Sequence, residues 1–223
     1  MHALQTPLQQ GLAELGLDVS AAQQAQLLAY LDLIAKWNRV YNLTAVRDPH
    51  EMLTHHLLDS LAVVRPLRRV LAGLAQHAAT GLVAEVPARL LDVGAGAGLP
   101  GVVIAITCPQ VTVTCVDTVA KKAAFVQQVA ASLGLPNLTG LHARVEALAG
   151  PYDVVCSRAF ASLADFTAWS HTALAPHGVW LAMKGKKPEA ELAALSSQVQ
   201  VFHVEPLTVP GLDAERCIVW MRG

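Results

Sequence analysis

Arg89-Leu90-Leu91-Asp92-Val93-Gly94-Ala95-Gly96-Ala97-Gly98-Leu99-Pro100-Gly101 is the stretch on which the reading of this chain turns. An apolar run leads to an acid, then to alternating glycines, and a second apolar run, Val102 to Ile106, follows. That order predicts a buried strand, a tight loop and a helix start, the geometry that brings backbone close to a nucleotide-like ligand. Glycine suits such a loop because a residue without Cβ takes positive φ and lets the main chain touch the ligand. Two fingerprints overlap here. Gly94-x-Gly96-x-Gly98, with Asp92 two residues upstream, is the pattern of S-adenosylmethionine sites. Gly96-x-Gly98-x-x-Gly101 matches the dinucleotide pattern, but its first glycine should stand directly at the strand end and comes late. Pro100 suits a first helical turn. The methyl-donor register fits the segment better.

Downstream, strands and helices alternate. The patterning predicts strands at about 89–93, 111–117, 138–143, 153–157, 179–184, 200–207 and 216–221. Helices are expected at about 100–107, 119–133, 162–175 and 189–197, with Gly134 and Gly178 where a glycine ends a helix. Seven strands with crossover helices imply a doubly wound α/β sheet. The last connection, Val209-Pro210-Gly211-Leu212-Asp213, is too short for a crossover, so its flanking strands should pair antiparallel. The expected fold is therefore α/β and Rossmann-like, as in class I methyltransferases, with a seven-stranded, mostly parallel sheet whose last strand is antiparallel.

Upstream, about 85 residues read as helices. Ser20 and Gln23 form a capping box, and Leu27, Tyr30, Leu31, Ile34 and Trp37 follow at helical spacing. Asp48-Pro49-x-Glu51 opens another helix through Met52, Leu53, Leu57 and Leu61. A softer segment, Gly73 to Pro87, leads into the glycine loop. The expected organisation is an N-terminal helical extension over 1–85 and a methyltransferase domain over 86–223, joined as one compact unit.

The 223 residues are 53% apolar and only 15% charged, which excludes a disordered chain. No segment reaches the roughly 18 uninterrupted apolar residues of a membrane span, and Met1-His2-Ala3-Leu4-Gln5 lacks the basic start of a secretory signal. Cys108, Cys115, Cys156 and Cys217 sit in apolar runs without a C-x-x-C pair, as buried reduced thiols of a cytoplasmic protein would. A net charge of −1 argues against nucleic acid as partner. Local clusters at Arg65/Arg68/Arg69, Lys121/Lys122 and Lys184/Lys186/Lys187 argue for it, so charge leaves the partner open.

Ligands of such sheets bind beyond the carboxyl ends of the strands. Asp117 closes the second strand, where an acid accepts ribose hydroxyls or caps the next helix. Val145 and Glu146 follow the third strand, placed for an adenine face and edge, although Glu146 also suits a solvated helix start. The fourth strand ends in Ser157-Arg158-Ala159-Phe160. The Asn/Asp-Pro-Pro-aromatic run of amino-group methyltransferases is missing there, and Cys156 reads as a core thiol rather than a nucleophile. Without an evident general base, the acceptor should carry a free lone pair, and guanine N7 does. No metal is expected, because the adjacent His55 and His56 point about 100° apart on a helix. His56 with Asp59 and Ser60 shares one face, either as a packing network or as part of a site. Trp37 to Thr44 combines aromatics, amides and a cation that suit stacking on bases or simple helix termination.

Taken in order, Trp37-Asn38-Arg39-Val40-Tyr41-Asn42-Leu43-Thr44, Arg47-Asp48-Pro49, His56-x-x-Asp59-Ser60, the glycine segment, Ser157-Arg158-Ala159-Phe160-Ala161-Ser162-Leu163 and Lys184-Gly185 resemble one family. It is the bacterial ribosomal RNA small subunit methyltransferase G family, also called glucose-inhibited division protein B, and the likeness spans about residues 20 to 221. The resemblance implies methylation of N7 of one guanine in 16S ribosomal RNA with S-adenosylmethionine, in the cytoplasm. It implies cofactor contacts at Gly94, Leu99, Val145, Glu146 and Arg158, with Gly96, Gly98 and Asp117 at the wider superfamily's positions. Arg158 would orient the methionine carboxylate or the incoming base. The partner would be 16S ribosomal RNA or a small-subunit particle, met by a monomer, with Lys121/Lys122 and Lys184 to Lys187 gripping phosphates. The helical arm has few basic residues, which weakens it as a main RNA contact. Alternatives are a small-molecule or protein methyltransferase, a non-catalytic ribosome-assembly factor with the same fold, and a nicotinamide-dependent enzyme.

Overall fold

A computed structural model describes residues 2–78 and 87–223. The boundary expected at 85/86 and most of the softer segment before the glycine loop lie outside the described residues. The chain opens with α1 (Gln5–Glu14) and α2 (Ala21–Tyr41), then α3 (Pro49–Met52), a π-helical turn (Leu53–Leu58), α4 (Asp59–Leu61) and α5 (Val64–Ala78). Local chemistry sets the starts and stops. Ser20 and Gln23 complete the capping box of α2, and Asn42 ends it in the left-handed region. Asp48 accepts from His50 N and Glu51 N to open α3, with Pro49 in the first turn. Gly73 interrupts nothing: α5 continues through it to Ala78.

From β1 (Arg89–Val93) the order is α6 (Gly101–Thr107), β2 (Thr112–Asp117), α7 (Ala120–Leu133), β3 (Leu138–His142) and β4 (Tyr152–Arg158). Then follow α8 (Leu163–Ser170), β5 (Leu174–Lys184), α9 (Glu189–Ala193), β6 (Gln200–Leu207) and β7 (Arg216–Arg222). The sheet order is β3-β2-β1-β4-β5-β7-β6. The first five strands are parallel and β7 runs antiparallel to both β5 and β6, as the short final connection requires.

Both faces of the sheet are covered, so its central strands read as apolar runs. Successive side chains alternate between two cores. Leu90, Val154, Leu181 and Ile218 face the arm, α6 and α7, whereas Leu91, Val155, Trp180 and Val219 face Leu163 and Phe166 of α8. The arm is stitched to the sheet's helices by α2. Gln23 donates to Ile106 O at 2.7 Å and Gln26 to Leu133 O at 2.9 Å, satisfying carbonyls at the ends of α6 and α7.

Three boundaries differ from the patterning: α9, expected over 189–197, stops at Ala193, and the other two lie together after α8. The helix expected over 162–175 stops at Ser170, whose hydroxyl donates to Phe166 O and accepts from Trp180 Nε1. β5 then begins at Leu174, paired with Tyr152 across a bulge. Gly178 lies inside β5 rather than after a helix. A Cβ there would stand 2.9 Å from Tyr152 O, so the glycine serves close strand approach. Gly134 does end α7, at φ +62.

Candidate active site with two clefts

The glycine loop is held open from below. Gly94 N and Ala95 N both donate to Val116 O, and Gly96 N donates to Asp117 Oδ2 at 3.0 Å. Gly94 has φ +66, and a Cβ there would strike the Phe160 ring. At Gly101 the constraint is space: a Cβ would meet Cys115 Sγ and stand 2.8 Å from Asp92 Oδ2, which accepts from Gly101 N. Asp92 is thus a brace between β1 and α6. Burial pushes its carboxyl up to about 7, although the Gly101 N–H opposes the shift. From above, the arm reaches in. The buried Tyr30 hydroxyl donates to Ala97 O at 2.6 Å.

Two clefts flank this loop and share Gly94 and Ala159. The first, of about 480 Å³, contains Asp117, Lys122, Val145, Glu146, Phe160 and Trp169. Asp117 takes both positions foreseen for it. Oδ1 accepts from Val119 N at the start of α7, and the carboxylate lines the cleft with Lys122 Nζ 3.9 Å away. Val145 is buried on a single 3-10 turn, whereas Glu146 is exposed and faces Arg144. Phe160 and Trp169 form an edge-to-face pair at 5.9 Å and wall off one side. Trp169 was not foreseen, because one tryptophan on an apolar helix reads as core; its 40% exposure is what marks it.

The second cleft, of about 460 Å³, is lined by Leu43, Thr44, His55, His56 and Asp59 of the arm, and by Gly94, Gly96 and Leu99 of the loop. Arg158, Lys184 and Arg216 close it at the carboxyl edge of the sheet. Arg158 Nη1 donates to His55 O at 2.9 Å and to Asp59 Oδ2 at 2.8 Å. Asp59 Oδ1 accepts from Arg216 Nε at 2.9 Å. His56 pairs through Nε2 with Thr44 Oγ1 at 2.8 Å, and burial, aided by the nearby Arg158 charge, lowers its pKa to about 4. Ala159 and Ala161, at φ +52 and +32, carry backbone strain on either side of Phe160.

The structure therefore gathers Gly94, Gly96, Leu99 and Arg158 around one cleft, and Gly94, Asp117, Val145 and Glu146 around the other. Gly98 lines neither; its α-carbon faces Val102 and Val126. Cys156 is buried, and burial pushes its thiol well above the ordinary range, so it stays protonated. Several residues of the basic clusters seen in the sequence, Lys184 and Lys187 foreseen for phosphates among them, are engaged internally. Lys184 binds Glu191 and Ala161 O, Lys187 binds Glu189, Arg68 donates to Thr107 O and Arg69 binds Glu205. Arg216 was missed, yet topology held the signal: an antiparallel last strand begins at the edge where parallel strands end.

Comparison with known proteins bears on this geometry. A family model described as rRNA small subunit methyltransferase G matches residues 23–219. The ribosomal RNA small subunit methyltransferase G of Acidovorax ebreus is 69% identical over 99% of this chain and 96% of its own length. That of Albidiferax ferrireducens is 67% identical over 100% of this chain and 98% of its own. Among solved structures, TrmN from Thermus thermophilus aligns over 61% of this chain and 44% of its own, with a TM-score of 0.50 at 17% identity, a likeness of fold. With the match running from α2 into β7, the chain belongs to the rRNA small subunit methyltransferase G family.

Proposed function

We propose that this chain transfers a methyl group from S-adenosylmethionine to N7 of one guanine in 16S ribosomal RNA, as its family membership suggests. The observation that carries the reading is the meeting of two unlike clefts at Gly94 and Ala159. Their residues suit a nucleoside joined to an amino acid. Asp117 spends one backbone N–H on each oxygen and keeps lone pairs for ribose hydroxyls. Val145, Phe160 and Trp169 offer apolar surface for a purine face, and Glu146 an acceptor at its edge. Gly94 and Gly96 present bare backbone, Leu99 an apolar side chain, and Arg158 a cation for a carboxylate or the incoming base. Gly98 supports the shape of the loop. The bound donor would supply a methyl group on a positively charged sulfur.

Guanine N7 holds an in-plane lone pair, so its attack needs no base. The second cleft agrees with that chemistry. His56 is neutral with Nε2 facing Thr44, and Asp59 is held between two guanidiniums. Arg158 orients, and no general base acts. Rate then comes from proximity, alignment and exclusion of water. A target base within paired RNA must be turned outward to reach the cleft. In this reading the arm over 1–85 and the domain over 86–223 act as one unit, a cytoplasmic monomer that meets 16S ribosomal RNA or a small-subunit particle. Among the described residues, no helix is long and apolar enough to cross a membrane.

The test is transfer of labelled methyl to small-subunit particles from cells lacking this protein, with the modified base mapped. Label at one guanine N7, abolished by Gly94→Asp, is the expected result. Binding of S-adenosylmethionine without transfer to these particles would overturn the ribosomal acceptor.

A further inference from the structure

The second cleft carries an imbalance that the methyl-transfer reading alone does not use. Its lining holds three cations, Arg158, Lys184 and Arg216; Glu191 balances Lys184, which leaves two guanidiniums against one carboxylate, Asp59. Asp59 is almost fully buried and stands where the π-helical turn Leu53–Leu58 passes into α4. Its two oxygens reach two strand ends far away in sequence, Arg158 at the end of β4 and Arg216 at the start of β7. The turn also aims His55 O at the same Arg158 Nη1. Arg216 is further fixed by donation from Nη1 to Glu215 O. Among the described residues, the Nη2 groups of both arginines have no hydrogen-bond partner, and both side chains remain about a quarter exposed toward the cleft. One carboxylate thus engages two planar guanidiniums, each with a donor to spare. Such a fork matches an oxyanion far better than a lysine's single point of charge does.

Resting on the methyl-transfer reading, we propose that Asp59 is a positioning residue. It sets Arg158 and Arg216 as one fork for an oxyanion, either the carboxylate of the donor or a phosphate of the acceptor nucleotide. Without its charge, two neighbouring cations repel and swing apart, and a misplacement near 1 Å at a reacting centre costs on the order of 100-fold in rate.

The experiment compares Asp59→Asn, Arg216→Lys and the double variant with the wild-type chain. It reads kcat and KM for methyl transfer to small-subunit particles, the Kd of S-adenosylhomocysteine, and the Kd of 5′-methylthioadenosine, which lacks the carboxylate. Each single variant should lose on the order of 10–100-fold in kcat/KM, and the double variant should lose little more than the worse single one. Weaker S-adenosylhomocysteine with unchanged 5′-methylthioadenosine identifies the donor carboxylate. Unchanged Kd values with a raised KM for particles identify a phosphate. Additive losses, an equal weakening of both small ligands, or a folded variant with wild-type kinetics would overturn the fork. Should Asp59→Asn not fold, Arg216→Lys decides alone, because its side chain is part exposed; wild-type kinetics there overturn the inference. A wild-type chain inactive on particles removes the methyl-transfer reading, while the two Kd values still report on the fork.

Discussion

Replacing Tyr30 by Phe deletes one atom and tests whether the helical arm braces the glycine loop. The hydroxyl is buried in α2 and donates to Ala97 O at 2.6 Å, 67 residues away in sequence. Burial raises the phenol's pKa well above its usual value, so the bond is between neutral groups at every working pH. Phe keeps the ring against Phe125 but leaves the Ala97 carbonyl without its partner. An orphaned buried acceptor costs roughly 1–3 kcal/mol. At about 2 kcal/mol, and 2–4 °C per kcal/mol for a chain of this size, the melting temperature should fall by roughly 4–8 °C. Ala97 lines the second cleft, so the loss should also reach the ligand. Calorimetric melts with and without S-adenosylhomocysteine measure both effects, since a ligand that binds only the folded state adds stability in proportion to its affinity. A smaller ligand-induced increment is expected in the variant. A fall under about 2 °C, with the increment unchanged, would refute the brace.

Three further outcomes follow from the same geometry. Gly101→Ala drives a methyl group into Cys115 and Asp92 and should cost about 1–3 kcal/mol in urea unfolding, with the slope unchanged. Trp169→Ala removes the exposed aromatic wall of the first cleft and should weaken S-adenosylhomocysteine by about tenfold or more, as loss of one base-stacking partner does, while KM for the particles holds. Asp92 has a folded pKa near 7 against an unfolded value near 4, so its contribution is full below pH 4 and fades as pH rises through 7. Asp92→Asn should therefore gain stability relative to the wild-type chain between pH 4 and pH 8, and a pH-independent difference would contradict the burial argument.

What the sequence of this chain exposes and what it hides follow from how each contact is made. The positions of Gly94, Asp117, Val145 and Arg158 beside the clefts were legible because each stands at a strand end or within three residues of one, and strand ends are visible as the limit of an apolar run. The antiparallel finish was legible because the eight residues between β6 and β7 are too few for a crossover. The end of α8 was not. Leu163 to Leu174 is apolar enough for either a longer helix or a strand, and the arbiter is Ser170, whose hydroxyl serves Phe166 and Trp180 at once. The contacts that shape the second cleft are also the least local. Tyr30 meets Ala97 across 67 positions, and Asp59 meets Arg158 across 99 and Arg216 across 157. No periodicity reports such pairs, because each partner satisfies its own element's pattern without the other. Their consequence is that the arm lines and braces the second cleft rather than being a mere attachment to the sheet. A loop of left-handed glycines has no rigidity of its own, and two guanidiniums at the ends of strands that flank β5 repel. Tyr30 supplies the first constraint and Asp59 the opposite charge, and both come from helices that precede the sheet.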